Sequence, residues 1–176
     1  MSNQTLNKQI PFYLAAGILF LLLKLFHNIA DHDALQFLLW PTSKLVAIMT
    51  TDPGNYLPET GYFHKKLNII INKSCSGFNF WLICFLMLYS LGIQRIKKSR
   101  DKALWLAVSL FLAYGLTFFV NSARILIATF IKRSEWIPKT NWLHQAEGVF
   151  TYLFFLILIF LIADFLFKKY SHEKPA

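Results

Sequence analysis

Four stretches of the chain, residues 11–30, 76–93, 103–123 and 145–167, are long, apolar and nearly free of charge. A hydrocarbon core about 30 Å thick needs roughly 20 apolar residues per helix, so each stretch can cross a bilayer. Lipid offers the backbone no hydrogen-bond partners, and a helix satisfies its own. The expected fold class is therefore all-α, a polytopic helical membrane protein occupying one transmembrane domain, residues 1–176. Composition agrees. Only 15% of residues are charged, against roughly 25% in soluble domains, and 18 Phe and 5 Trp suit lipid-facing helices.

The net charge of +9 raises the question of nucleic acid. The Lys and Arg sit at the ends of apolar segments, with no aromatic-interleaved basic patch, so no nucleic-acid partner is expected. Membrane orientation explains them better. The loop of residues 94–102 carries five basic residues and one acid, and short Lys/Arg-rich loops stay in the cytoplasm. The tail with Lys168, Lys169 and Lys174 is basic as well. With both inside, the first span starts inside and delivers residues 31–74 to the outer face. That first stretch follows Lys8 as in a signal peptide, but it is too long for a signal core. No small-residue cleavage site follows near Ala30, Asp31 and His32, so it reads as an uncleaved span.

Two shorter apolar segments interrupt the scheme. Residues 34–49 contain Pro41 and Lys44, and residues 125–131 make only about 10 Å of helix. Both are expected to be interfacial or re-entrant pieces on the outer side, tolerated where protein covers irregular backbone. If 34–49 crossed fully, the N-terminus would move outside.

This topology collects polar residues at one depth. Cys75 opens the second helix, Asn121 and Arg124 end the third, and His144 opens the fourth. Residues three and four apart share a helix face. Cys75 then lies over Asn79, Thr117 aligns with Asn121 and Arg124, and His144 aligns with Glu147, Gly148 and Thr151. Taken singly, a membrane cysteine is a small filler, an interfacial arginine snorkels, and an interfacial histidine is a hydrogen-bonded surface group. Taken together, three polar stripes at one level point to a site, because ionisable residues in spans face protein or water and mark function. Cys84, among Leu, Ile and Phe, reads as filler. On one helix the two cysteines would stand about 13 Å apart, too far for a disulfide. Lys24, His27 and Asp31 form a further polar stripe. It either lines the same site or is a snorkelling lysine beside a His–Asp pair.

These residue types suit nucleophilic catalysis. A thiol attacks as its thiolate, a form favoured by a helix N-terminus or a neighbouring His or Arg. His144 can take the thiol proton and return it to a leaving amine. Arg124 can stabilise the oxyanion of a tetrahedral intermediate or orient a substrate carboxylate. Asn79, Asn121 and Glu147 are supporting candidates. A metal centre of His64, Cys75 and His144 lacks compact ligand spacing, so no metal or other cofactor is expected. The reading from a different class is a non-catalytic small membrane subunit or transporter with a polar outer vestibule.

Cys75-Ser76-Gly77, then Asn121 and Arg124 three residues apart, then His144 at the start of a final span, together resemble the exosortase/archaeosortase family. Over residues 70–165 the chain looks most like its compact exosortase K type. The resemblance implies a bacterial inner-membrane, multi-pass cysteine transpeptidase or protease with its active site on the extracytoplasmic side. It implies Cys75 as the nucleophile and Arg124 and His144 as its partners. Implied substrates are membrane-anchored exported proteins ending in a short motif of the PEP-CTERM kind, a membrane helix and a basic tail. A thioester would pass to an amine or water.

Leu57-Pro58-Glu59-Thr60-Gly61 spells a signal cut by soluble sortases. Such signals stand near a C-terminus, before one anchoring helix. Here three spans follow, and Pro53, Gly54 and Pro58 make the stretch a turn in an outer loop.

Overall fold

The computed structural model describes residues 9–133 and 141–172, with side chains described for 9–132 and 146–169. In chain order it contains α1 (Ile10–Ile29), α2 (Gln36–Thr50) and three strands, β1 (Gly54–Leu57), β2 (Gly61–His64) and β3 (Ile69–Ile71). A 3-10 turn (Lys73–Cys75) then leads to α3 (Phe78–Ile93), α4 (Ser99–Arg133) and α5 (Asn141–His172). Among the described residues, four helices are long and apolar enough to cross a membrane, at Ile10–Ile29, Lys73–Ile93, Ser99–Lys132 and Ala146–Lys169. The all-α polytopic class holds, with four candidate membrane-spanning helices.

α3 is the hub. It is apolar apart from Asn79 and Ser90, and Phe78, Phe80, Leu82, Cys84, Phe85, Leu88, Tyr89 and Ile93 are all buried. Indole donors staple it to α4. Trp81 Nε1 donates to the Leu110 carbonyl at 3.0 Å and Trp105 Nε1 to the Leu88 carbonyl at 3.3 Å. Trp105 packs so closely on Gly92 that a Cβ there would collide with its ring. At the basic end, Arg95 bridges to Asp164 of α5 at 2.8 Å, and Lys168 meets the same carboxylate at 2.7 Å.

Residues 125–131 are not a separate interfacial piece. They continue α4, a single helix of 35 residues, about 52 Å long at ~1.5 Å per residue and well over the ~30 Å hydrocarbon thickness. Asn121 and Arg124 therefore lie inside a helix that runs on for nine residues past Arg124, not at its end. Polar side chains do not stop a helix whose backbone bonds continue.

Residues 34–49 do form a helix, and Pro41 sits inside it. Proline has no N–H to offer the carbonyl four residues back. That carbonyl, on Phe37, instead accepts the Tyr114 hydroxyl of α4 at 2.7 Å. Leu35, Leu38, Leu39, Thr42, Ser43 and Val46 face the interior at helical spacing, while Trp40, Ile48 and Met49 face outward.

Between α2 and α3 the chain adds a small antiparallel sheet, order β1-β2-β3, with Tyr56 opposite Tyr62 and Phe63 opposite Ile70. Leu57–Gly61 forms the hairpin turn between β1 and β2, closed by Thr60 N–H donating to the Leu57 carbonyl at 3.0 Å. His64 clasps the sheet to α2. Its Nε2 pairs with Ser43 Oγ at 2.9 Å and its Nδ1 with the Asp52 carbonyl at 2.9 Å. With both nitrogens occupied, His64 has none left for a metal shared with Cys75.

Candidate active site

β3 runs through Asn72 directly into the Lys73–Cys75 turn. Asn72 caps that turn, its Oδ1 accepting both the N–H and the hydroxyl of Ser74. Lys73 reaches back to the end of α1, donating to the carbonyls of Asn28 at 3.1 Å and Ala30 at 2.7 Å. Cys75 is half-buried, with Ser74 Oγ 3.8 Å from its Sγ. It stands in the turn before α3 rather than in the helix. Gly77, at φ +74°, separates the two, a left-handed conformation that costs other residues roughly 1–2 kcal/mol. A Cβ on Gly77 would also lie 3.0 Å from Asn121 Cγ and 3.0 Å from Thr117 Cγ2. The glycine both breaks the helix and lets α4 approach. Because of this break, the expected helical register of Cys75 over Asn79 does not apply. Asn79 turns to α1, accepting from Lys24 Nζ at 2.6 Å.

Asn121 gathers the elements. Its side chain is fully buried. Its Nδ2 donates to the Cys75 carbonyl at 2.6 Å, and its Oδ1 accepts from Tyr152 Oη at 2.7 Å and from Arg124 Nε at 3.4 Å. Arg124 lays its guanidinium over the Tyr152 ring, 5.2 Å from the centroid. It packs on Gly148 of α5, where an added Cβ would come within 3.3 Å of Nη1. The turn that carries Cys75, the second half of α4 and the first third of α5 thus meet at one point. Sequence spacing had placed Asn121 and Arg124 on one row, and they share it here.

His144 lies in the first turn of α5, one turn before Gly148 on the same helix face. Its side chain lies outside the described residues. Glu147 is half-buried on the same helix.

Tyr152 was missed from the sequence. The signal was available, because Tyr152 extends the His144–Gly148 row by one more turn. A tyrosine within an apolar span reads as an aromatic filler unless a polar partner is known. Its ring also stacks on Phe80 of α3 at 5.1 Å.

A cavity of ≈ 110 Å³ adjoins the turn, lined by Lys73, Ser74, Ser76, Asn79, Tyr152 and His27 of α1 among others. The His27 ring lies on Phe78 with centroids 4.3 Å apart. Its Nε2 is buried with no hydrogen-bond partner among the described residues. Of the stripe Lys24, His27 and Asp31, the first two reach this neighbourhood. Asp31 turns away to accept the Ala34 N–H at 2.8 Å. Cys84 is fully buried in α3, its thiol free like that of Cys75.

No curated protein and no solved structure matches this chain. A family model described as transmembrane exosortase matches residues 54–161, from β1 through most of α5. That span takes in the Cys75 turn, Asn121, Arg124 and His144. It covers more than half of the chain, which therefore belongs to the transmembrane exosortase family.

Proposed function

We propose that this chain is a cysteine peptidase or transpeptidase of the bacterial inner membrane. On this reading it processes C-terminal sorting segments of exported proteins at the extracytoplasmic face. The Cys75 thiolate attacks the carbonyl carbon of the scissile peptide. His144 receives the thiol proton and passes it to the departing amine as the tetrahedral intermediate collapses to a thioester. An external amine or water then attacks the thioester carbonyl and releases the thiol. Arg124 offers fixed guanidinium donors to the oxyanion or to a substrate carboxylate.

The observation that carries this reading is the buried Asn121, which holds the backbone of Cys75 with one end of its amide and Arg124 with the other. A filler cysteine and a snorkelling arginine need no common tether, whereas a catalytic pair needs fixed geometry.

Mass spectrometry of the protein from cells exporting the natural substrates tests it. A substrate-derived acyl adduct on Cys75 is expected, with processing lost in Cys75→Ala and in Cys75→Ser. A Cys75→Ser protein of undiminished function would instead identify a binding or transport subunit.

A further inference from the structure

α3 is enclosed by its neighbours except along one line. Its residues that are not buried, Asn79, Ile83, Leu86, Met87, Ser90 and Leu91, recur at spacings of three and four. At about 100° per residue they fall on a single stripe. The flanks are occupied. On one side Phe78 lies on His27 of α1, and Tyr89 Oη donates to the Phe12 carbonyl at 3.3 Å. At the other edge, in line with Met87 and Leu91, Phe80 stacks on Tyr152 of α5, and beyond it Trp81 and Gly92 face α4. The stripe therefore opens between α1 and α5. It is apolar apart from Ser90 and, at its head, Asn79, which lines the cavity together with Ser74 and Ser76 on either side of Cys75. From Asn79 to Leu91 it runs about 18 Å, more than half the hydrocarbon thickness.

We propose that this stripe seats the membrane helix of the substrate, an inference that rests on the cysteine-enzyme reading above. An apolar helix entering laterally between α1 and α5 packs on Ile83, Leu86 and Met87, and its polar leading segment then emerges into the cavity that adjoins the Cys75 turn. Confinement of both partners to the bilayer converts a bimolecular encounter into a local one. The continuity of stripe and cavity singles out this occupant. A lipid chain or a second copy of the protein could cover the apolar face, but neither delivers a peptide to its head.

The test uses a reporter fused to the C-terminal segment of an exported protein of the same cells, comprising a short motif, an apolar helix and a basic tail. In a Cys75→Ala background, a photoreactive phenylalanine analogue at Ile83 or Met87 should crosslink to the reporter's helix. The same analogue at Leu158, on an exposed face of α5, should not. With Cys75 intact, Ile83→Trp and Met87→Trp should cut reporter processing by roughly tenfold through overpacking of the seat, while Leu158→Trp leaves it unchanged. Crosslinks only to lipid or to a second copy, with both tryptophan variants processing normally, would overturn the seat and leave the cysteine enzyme standing. Helix crosslinks without any Cys75-dependent processing would do the reverse.

Discussion

Asn121 on α4 holds the main chain of Cys75, 46 residues earlier, through a 2.6 Å hydrogen bond from its amide nitrogen to the Cys75 carbonyl. The bond fixes where the turn sits relative to α4, and so where the thiol stands relative to Arg124 on the next turn of that helix. Both side-chain polar atoms of Asn121 are hydrogen-bonded within the protein.

Asn121→Asp keeps an acceptor for Tyr152 and Arg124 but cannot donate to the Cys75 carbonyl. Asn121→Leu leaves three partners unmatched, each buried group costing about 1–3 kcal/mol. Both variants are expected to lose at least tenfold in acyl-adduct formation on Cys75, with Leu the less stable in detergent thermal melts. Normal adduct formation by Asn121→Asp would show that the bond to Cys75 is dispensable.

Arg124→Lys keeps the charge and loses the planar fork that lies on Tyr152 and reaches Asn121. If Arg124 serves the oxyanion, processing should fall about 10²–10³-fold, in protein that inserts at normal levels. A snorkelling role needs only a cationic head, so near-wild-type processing by the lysine variant would remove Arg124 from the site.

Gly77→Ala combines an unfavourable φ with contacts to Asn121 and Thr117 that are too close. A loss of more than 1 kcal/mol in stability is expected, together with slower alkylation or acylation of Cys75. Thr117→Ser removes the offending methyl, so the double variant Gly77→Ala with Thr117→Ser should recover part of the loss, a coupling that a double-mutant cycle measures.

Orientation is read from the basic loop 94–102. In a protein lacking both native cysteines, Thr60→Cys at the exposed hairpin turn should react with a membrane-impermeant thiol reagent on intact cells. Ser99→Cys should react only after permeabilisation. The opposite pattern would place the Cys75 turn on the cytoplasmic side and end the proposal that exported segments are its substrates.

The four spans were legible from the sequence because the requirement behind them is local. Twenty apolar residues in lipid must bond their own backbone, whatever surrounds them. The orientation of Thr117, Asn121 and Arg124 along one row was legible for the same reason, since helical spacing needs no knowledge of neighbours. What the sequence could not decide lay in partners far along the chain. Residues 125–131 looked too short to span, but α4 continues through Asn121, Ser122 and Arg124 because their side chains find partners across the fold and leave its backbone ladder intact. Pro41 looked like an interruption, and Tyr114, 77 residues from Phe37, supplies the missing donor. The strands around Leu57–Gly61 are too short to show a periodicity, and they stand because His64 pins them to Ser43 on α2. Tyr152 looked like one more aromatic residue in an apolar span until α3 and α4 brought Phe80 and Asn121 against it. Backbone satisfaction in lipid is a property of a segment, whereas a site is a property of the distances between segments, and those distances were set by packing around α3.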